Sequence, residues 1–221
     1  QNLDDSVEIG TRNIKVALRR LRKFARQSTD YELDMDGTIK STARNAGILD
    51  INMIPERTNH VKVLIFFDVG GSMDPYIKLC EELFSALKTE FKHLKYFYFH
   101  NCVYESVWED NRRRTQERFL VQDIINKYSA DYKVIFVGDA TMAPYEITNA
   151  GGSIEHWNEE PGGATIKRLC EHFDRVAWLN PVPEDHWDYT SSLCIIRELV
   201  DNRMFPLTLK GLEEGMSELS K

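Results

Sequence analysis

The chain has 221 residues, of which 42% are hydrophobic and 29% are charged, and its formal net charge is −7. The length and composition are typical of a soluble protein with one α/β domain and a peripheral segment. No apolar run approaches the ~20 residues needed to cross a bilayer. The negative charge disfavours a general nucleic-acid binder, because phosphate contacts need clustered cations.

The four cysteines are widely spaced and never form a C-x-x-C pair. This spacing favours reduced thiols in a cytoplasmic protein over a disulfide framework. The first ten residues, QNLDDSVEIG, show no signal-peptide pattern and no initiator Met, so we expect a piece of a longer chain.

Residues 11–27, TRNIKVALRRLRKFARQ, predict a helix with Ile14, Leu18, Leu21 and Phe24 on one face and basic residues elsewhere. We favour a helix that docks by its apolar face, with contact to an acidic partner, RNA or a membrane surface as the alternative. Residues 28–60 predict a short helix, one strand at ILDINMI and a loop. Residues 1–60 are therefore assigned to an N-terminal extension, and 61–221 to the main domain.

From residue 61 onward, predicted strands and helices alternate. The strands cover 61–68, 94–100, 102–108, 131–140, 175–181 and 204–209, and the helices cover 75–91, 117–129, 163–173, 190–202 and 211–220. Unbroken apolar strands separated by helices predict a doubly wound, mostly parallel sheet covered on both faces. The stretch 141–163 has no clear periodicity, and loops of that length are usually functional.

Two of the apolar strands end in an aspartate, Asp68 and Asp139, and Ser72 follows the first of them. Ligands of open α/β sheets bind beyond the carboxyl ends of the strands. If these strands are neighbours, the carboxylates repel each other unless a cation lies between them, and an all-oxygen site suits Mg²⁺ or Mn²⁺. Gly70 and Gly71 would let the backbone turn close to such an ion.

A plain strand-to-helix turn is the alternative for this segment, with Asp68 and Ser72 capping backbone N–H groups. In either case Asp74 is the predicted N-cap of the following helix, and Pro75 its first residue.

The pattern D-x-G-x-S at 68–72, followed by VIFVGD at 134–139, resembles the von Willebrand factor type A (vWA) domain and its metal-ion-dependent adhesion site. FFDVGGSMD, EFKHLKYFYFHN, VIFVGDATMAPYEI and WLNPVPEDHW resemble the CoxE-like bacterial branch of that family. The resemblance extends over nearly the whole chain. It implies an adaptor without a reaction of its own, which works beside a MoxR-type AAA+ ATPase in the maturation or assembly of other protein complexes.

The metal-site pattern of the family is D-x-S-x-S, then a Thr in a distal loop and an Asp that ends a strand. The resemblance assigns Asp68, Ser72 and Asp139 to three of these positions. Gly70 replaces the first Ser, which removes one hydroxyl ligand, and Thr115 is only a weak candidate for the Thr. The resemblance thus implies either a degenerate Mg²⁺ or Mn²⁺ site completed by waters or a turn kept for its shape.

In vWA domains a partner's carboxylate fills an open position on the ion, which implies a contact face at the top of the sheet. The residues expected on that face are Gly70, Gly71, His100, Asn101, Thr141, Tyr145 and Trp157. Tyr145 and Trp157 are candidate aromatic anchors, although each can instead pack over the sheet edge.

Two other classes of function stay open. Acidic segments near tryptophans, HWNEEPGG and PEDHWDY, would suit a hydrolase of glycosides, and aspartates at strand ends would suit a metal-dependent hydrolase or phosphotransferase. The chain lacks G-x-x-x-x-G-K-[ST], G-x-S-x-G and a D-x-D motif at Asp68. An RNA-binding module could use the basic helix and NRRR at 111–114, against the overall acidity. We therefore predict a non-enzymatic protein-interaction module.

Overall fold

The computed structural model describes residues 11–25, 31–55, 61–153 and 157–221. Its strands are β1 (Tyr31–Leu33), β2 (Met53–Pro55), β3 (Lys62–Asp68), β4 (His93–Phe99), β5 (Ser106–Val107), β6 (Phe119–Leu120), β7 (Lys133–Val137), β8 (Arg175–Asn180) and β9 (Met204–Pro206). Its helices are α1 (Thr11–Ala25), α2 (Met35–Arg44), α3 (Ile77–Glu90), α4 (Val121–Lys127), α5 (Pro144–Thr148), α6 (Gly162–His172), α7 (Ser191–Leu199) and α8 (Leu209–Leu219). Short 3₁₀ turns cover Gly71–Tyr76, Asn111–Arg113 and Glu184–Tyr189.

Five strands form one parallel sheet in the order β4-β3-β7-β8-β9. The chain leaves β3 toward β4 and then crosses back to β7, so strand order reverses between β3 and β7. This reversal is the switch point of a doubly wound sheet, where ligands of such folds bind. The predicted fold class is confirmed, and so is the expectation that the strands leading to Asp68 and Asp139 are neighbours.

Both faces of the sheet are covered. Val63, Ile65 and Phe67 of β3 pack in a cluster with side chains of α1, α3 and α8. Leu64 and Phe66 point the other way, into a cluster with α4, α6 and α7. Alternate residues of an extended strand face opposite sides, so a central strand buried on both faces reads as one unbroken apolar run.

The first helix docks by its apolar face, as we favoured from the sequence. Ile14, Ala17 and Leu18 are fully buried in the cluster formed with α3 and α8. Arg19 Nε lies 3.2 Å from Glu90 Oε1. The side chains of Leu21 and Phe24, and the predicted helical residues 26–27, lie outside the described residues. The boundary between the N-terminal extension and the main domain, placed between residues 60 and 61, stays a prediction.

Several element boundaries differ from the prediction. The helix after β3 does not start with Asp74 as N-cap and Pro75 as first residue, because a 3₁₀ turn already begins at Gly71 and α3 begins only at Ile77. The cause is local: Asp68 Oδ1 accepts the Gly70 N–H, and the Gly70 carbonyl accepts the Met73 N–H, so the chain folds back at once after the strand.

Other differences concern short segments whose pairing depends on distant residues. The predicted strand 102–108 is regular only at β5, which pairs with β6. On either side of β5, Cys102 and Trp108 form isolated bridges with His100 and Tyr98. The predicted helix 117–129 begins only at Val121, because 119–120 form β6. The predicted loop 141–163 contains α5, and 28–60 contains two short paired strands instead of one. Among the helices of the described ranges, none is long and apolar enough to span a membrane.

Candidate functional site

The carboxyl ends of β3 and β7 bring two aspartates to the switch point of the sheet. β3 ends at Asp68, and Asp139 follows β7 after Gly138. Asp68 is 4% exposed and Asp139 2%; burial is the main cause that raises the pKa of Asp68, and the charge of Asp139 raises it further. The predicted pair of carboxylates is therefore close in space.

Among the described residues, hydrogen-bond donors reach only one carboxylate oxygen of Asp68. Oδ1 accepts the backbone N–H groups of Gly70 and Asn101 at 2.8 and 2.9 Å. Oδ2 is buried and has no hydrogen-bond partner among the described residues. Burial raises the pKa of Asp68 to about 7, against the lowering effect of the Gly70 N–H bond. A buried acceptor without a partner is costly, so its persistence calls for an explanation such as an ion.

Asp139 has better hydrogen bonding. Its Oδ1 accepts the Thr141 N–H at 3.0 Å, and the Ser72 hydroxyl donates to the same carboxylate. Burial raises the pKa of Asp139, while these two hydrogen bonds lower it. The structure thus brings together Asp68, Ser72 and Asp139, as the sequence predicted.

Two glycines allow the strand ends to approach each other. A Cβ atom at Gly138 would lie 2.9 Å from Asp68 Cβ and 3.3 Å from its Oδ2. A Cβ atom at Gly70 would lie 2.2 Å from Asn101 Oδ1. At Gly71, by contrast, a Cβ would meet nothing within 4 Å. Close approach therefore requires glycine at 70 and 138 but not at 71, and Gly138 was not among our predicted site residues.

The loop that presents Asp139 is fixed from below by residues of β8 and α7. Asn180 Nδ2 donates to the Asp139 carbonyl at 3.1 Å, and Trp178 Nε1 donates to the Gly138 carbonyl at 2.8 Å. The Ser192 hydroxyl donates to the Ala140 carbonyl at 2.8 Å. Buried supports of this kind hold a first layer of ligands in position. None of these three supports was among our predicted site residues.

Glu146 is a further acidic group that the sequence analysis did not select. It lies in α5 and is 2% exposed. Its Oε2 accepts from Asn101 Nδ2 and from the Tyr104 hydroxyl, both at 3.3 Å, and its Oε1 accepts the Ala143 N–H at 3.2 Å. Glu146 at the third residue of the helix, bonding back to the residue before it, is half of a capping box.

The predicted contact residues follow the ends of β3, β4 and β7 or lie in the loop before α6. Gly71 and Thr141 are exposed, His100 and Asn101 are half-buried, and Gly70 is buried. Tyr145 is 51% exposed and Trp157 77% exposed, with the Trp157 ring lying against Gly151.

Thr115, the weak metal-ligand candidate, is exposed in the turn between the 3₁₀ segment Asn111–Arg113 and β6. None of the hydrogen bonds of the described residues connects it to Asp68, Ser72 or Asp139.

A cavity of about 270 Å³ lies beside Asp68, between β3 and α3. Its lining combines Asp68 and Gly70 with apolar and aromatic side chains that include Met73 and Phe84. Cys80 also lines it, and burial raises the pKa of this thiol to about 12. All four cysteines are free, as predicted. The cavity provides room next to the buried carboxylate for a ligand group or water.

The donor set of the site fits a hard divalent cation. Asp68 and Asp139 are both buried, and the charges that act on Asp68 come from Asp139 and Glu146, all negative. In the part of the chain that the structure describes, no three His, Cys, Asp or Glu side chains form a metal-binding group by themselves. Any cation at Asp68 and Asp139 would therefore also need neutral oxygens, which Mg²⁺ and Mn²⁺ accept.

Residues 8–107 match the family model described as VWA domain containing CoxE-like protein. Neither the curated proteins nor the solved structures gave a match. The matched range includes the ends of β3 and β4, with Asp68, Ser72 and Asn101, and stops before β7. Two of the three strand ends at the candidate site thus lie within the family match.

Proposed function

Since the chain is a vWA-domain protein of the CoxE-like family, we propose that it is a non-enzymatic interaction module that binds a partner's carboxylate through a divalent cation. Asp68, Ser72 and Asp139 would hold Mg²⁺ or Mn²⁺, which supplies positive charge to an incoming Asp or Glu. vWA domains are in general protein-interaction modules, and the resemblance points to a MoxR-type AAA+ ATPase and a client complex as partners.

One observation carries the proposal: the buried Oδ2 of Asp68 has no hydrogen-bond partner among the described residues, and the nearby charges of Asp139 and Glu146 are negative. A buried carboxylate of this kind, when it is ionised, is normally paired or coordinated to a metal. The position of the pair at the switch point adds a second argument, because ligands reach such sheets there.

The exposed residues around the site suit a partner surface. Tyr145, in α5, and Trp157, in the loop before α6, are large, mostly exposed aromatic side chains in the segment that follows β7. Aromatic residues of this size supply much of the binding energy at protein interfaces. The metal contact would fix the orientation of the partner and the aromatic contacts would add affinity.

An enzymatic role has less support. The acidic residues 184, 185 and 188 are exposed, and the thiols of Cys80 and Cys170 have raised pKa values of about 12 and about 11, which leaves them protonated. We propose no reaction for the site. An RNA-binding role for α1 is also less supported, because its apolar face is buried and Arg19 already pairs with Glu90.

The direct test measures binding of the purified chain to the MoxR-type ATPase of the same organism by biolayer interferometry, in Mg²⁺ and in EDTA. We expect binding that EDTA and Asp68→Asn both reduce at least ~10-fold. Asp131→Asn is the matched control, because Asp131 is exposed just before the start of β7, at the amino ends of the strands and away from Asp68. Equal binding in Mg²⁺ and EDTA would refute the metal-mediated contact.

A further inference from the structure

The side chain of Asn101 occupies the space beside Asp68 into which residue 70 would otherwise project. An ideal Cβ at Gly70 lies 2.2 Å from Asn101 Oδ1 and 3.1 Å from Asp68 Oδ1. The two oxygens therefore flank the same point. Residue 70 is also the position at which the family pattern has a serine hydroxyl and this chain has none, because Gly70 stands there.

Glu146 determines which end of the Asn101 amide faces Asp68. A carboxylate only accepts hydrogen bonds, so the amide nitrogen must point toward Glu146 Oε2, at 3.3 Å. The amide oxygen then faces the Gly70 turn. No donor among the described residues bonds to that oxygen, so it is left as an available acceptor next to a carboxylate.

The backbone of Asn101 is held at the same place. Its φ is 59°, and its N–H donates to Asp68 Oδ1 at 2.9 Å. Asn is among the few residues other than Gly that adopt this left-handed conformation readily. Backbone and side chain together thus aim a neutral carbonyl oxygen at the site from the end of β4.

We propose that Asn101 Oδ1 is a ligand of the divalent cation, that it replaces the hydroxyl missing at residue 70, and that Glu146 is the residue that positions it. This inference rests on the proposed metal site. The resulting set consists of the Asp68 and Asp139 carboxylates, the Ser72 hydroxyl and the Asn101 amide oxygen, which is an all-oxygen set of the kind that Mg²⁺ and Mn²⁺ prefer. It leaves positions for water and for a partner's carboxylate.

Calorimetric titration of Mn²⁺ into metal-stripped protein tests the assignment with Asn101→Gly. Glycine retains the left-handed backbone and its N–H bond to Asp68 while removing the amide oxygen. We expect the Kd for Mn²⁺ to rise at least ~10-fold, since even the loss of an outer support of a metal site costs 10–100-fold. Asn202→Gly is the matched control, because Asn202 has φ 57° and is exposed in the turn before β9.

A reciprocal pair of variants separates a ligand from a merely structural residue. Gly70→Ser alone should weaken Mn²⁺ binding, because its side chain collides with the Asn101 amide. In the Asn101→Gly background the same serine has space for its hydroxyl and should restore much of the lost affinity. Failure of the double variant to bind more tightly than Asn101→Gly, with both folded as judged by melting temperature, overturns the assignment.

The outcomes also separate this inference from the proposed function. If the wild-type chain binds Mn²⁺ through Asp68 and Asn101→Gly binds equally well, Asn101 is not a ligand and the metal site stands without it. If the wild-type chain binds no Mn²⁺, both the metal site and the role of Asn101 are refuted.

Discussion

The ends of β3 and β7 look alike in sequence but differ in how their carboxylates are satisfied. Each strand brings an aspartate to the switch point, with a glycine close by. Asp139 receives hydrogen bonds from Thr141 and Ser72, whereas one oxygen of Asp68 has no partner in the described part of the chain. The unfavourable electrostatics of the site are thus concentrated on Asp68, which is where a cation would gain most.

The largest expected difference between the two strand ends is in the pH dependence of the free energy of unfolding, which Asp68 should dominate. Asp68 keeps its proton in the native state up to a pKa of about 7, compared with an ordinary value of 3.8. Between these values the native state binds more protons than the unfolded chain, so the free energy of unfolding of metal-free protein falls as pH rises from about 4 to above 7. The full loss is on the order of 4 kcal/mol.

Urea unfolding in EDTA at pH 5 and pH 8 measures this loss. Asp68→Asn should reduce the slope, because the amide does not ionise, while the raised pKa of Asp139 leaves a smaller slope of the same sign. The variant should be more stable than the wild type at pH 8. Asp131→Asn should keep the wild-type slope, since the pKa of Asp131 is lowered and this residue stays ionised over the whole range. Parallel profiles for the wild type and Asp68→Asn would contradict the account.

The next effect concerns the close approach of the two strand ends. Gly138→Ala places a methyl group 2.9 Å from Asp68 Cβ and 3.4 Å from the Trp178 ring, so we expect a loss of about 1–3 kcal/mol in the free energy of unfolding. Gly71→Ala is the control, because nothing lies within 4 Å of its added methyl group. Similar chemical-denaturation midpoints for the two variants would show that the strand ends are not tightly opposed.

Much of the fold was predictable because parallel strands buried on both faces leave a strong signal. The predicted strands 61–68 and 131–140 consist mainly of continuous apolar residues, and they contain β3 and β7 of the central sheet. Neighbouring parallel strands have their carboxyl ends on the same side of the sheet, so the fold class predicted that Asp68 and Asp139 lie close together. Ser72 was predicted from its place four residues after Asp68, and the family resemblance assigned it the same role.

The residues that shape the site were harder to predict, because tertiary contacts bring them there. Asn101 bonds to Asp68 across 33 positions and to Glu146 across 45. The sequence placed Asn101 on the expected contact face, but it indicated neither its φ of 59° nor the direction of its amide. Glu146 had a local signal, since an acid three residues after Ala143 is typical of a helix start. Nothing in the sequence indicated that its carboxylate reaches Asn101.

The most direct test of the central claim is calorimetric titration of Mg²⁺ and Mn²⁺ into metal-stripped protein, beside the same titration of Asp68→Asn. We expect saturable binding by the wild type, with a metal-dependent rise in melting temperature, and neither effect in the variant. Absence of both effects in the wild type would contradict that claim. The Asp68 turn would then be kept for its shape, and partner contacts would have to be sought around Tyr145 and Trp157 without a metal.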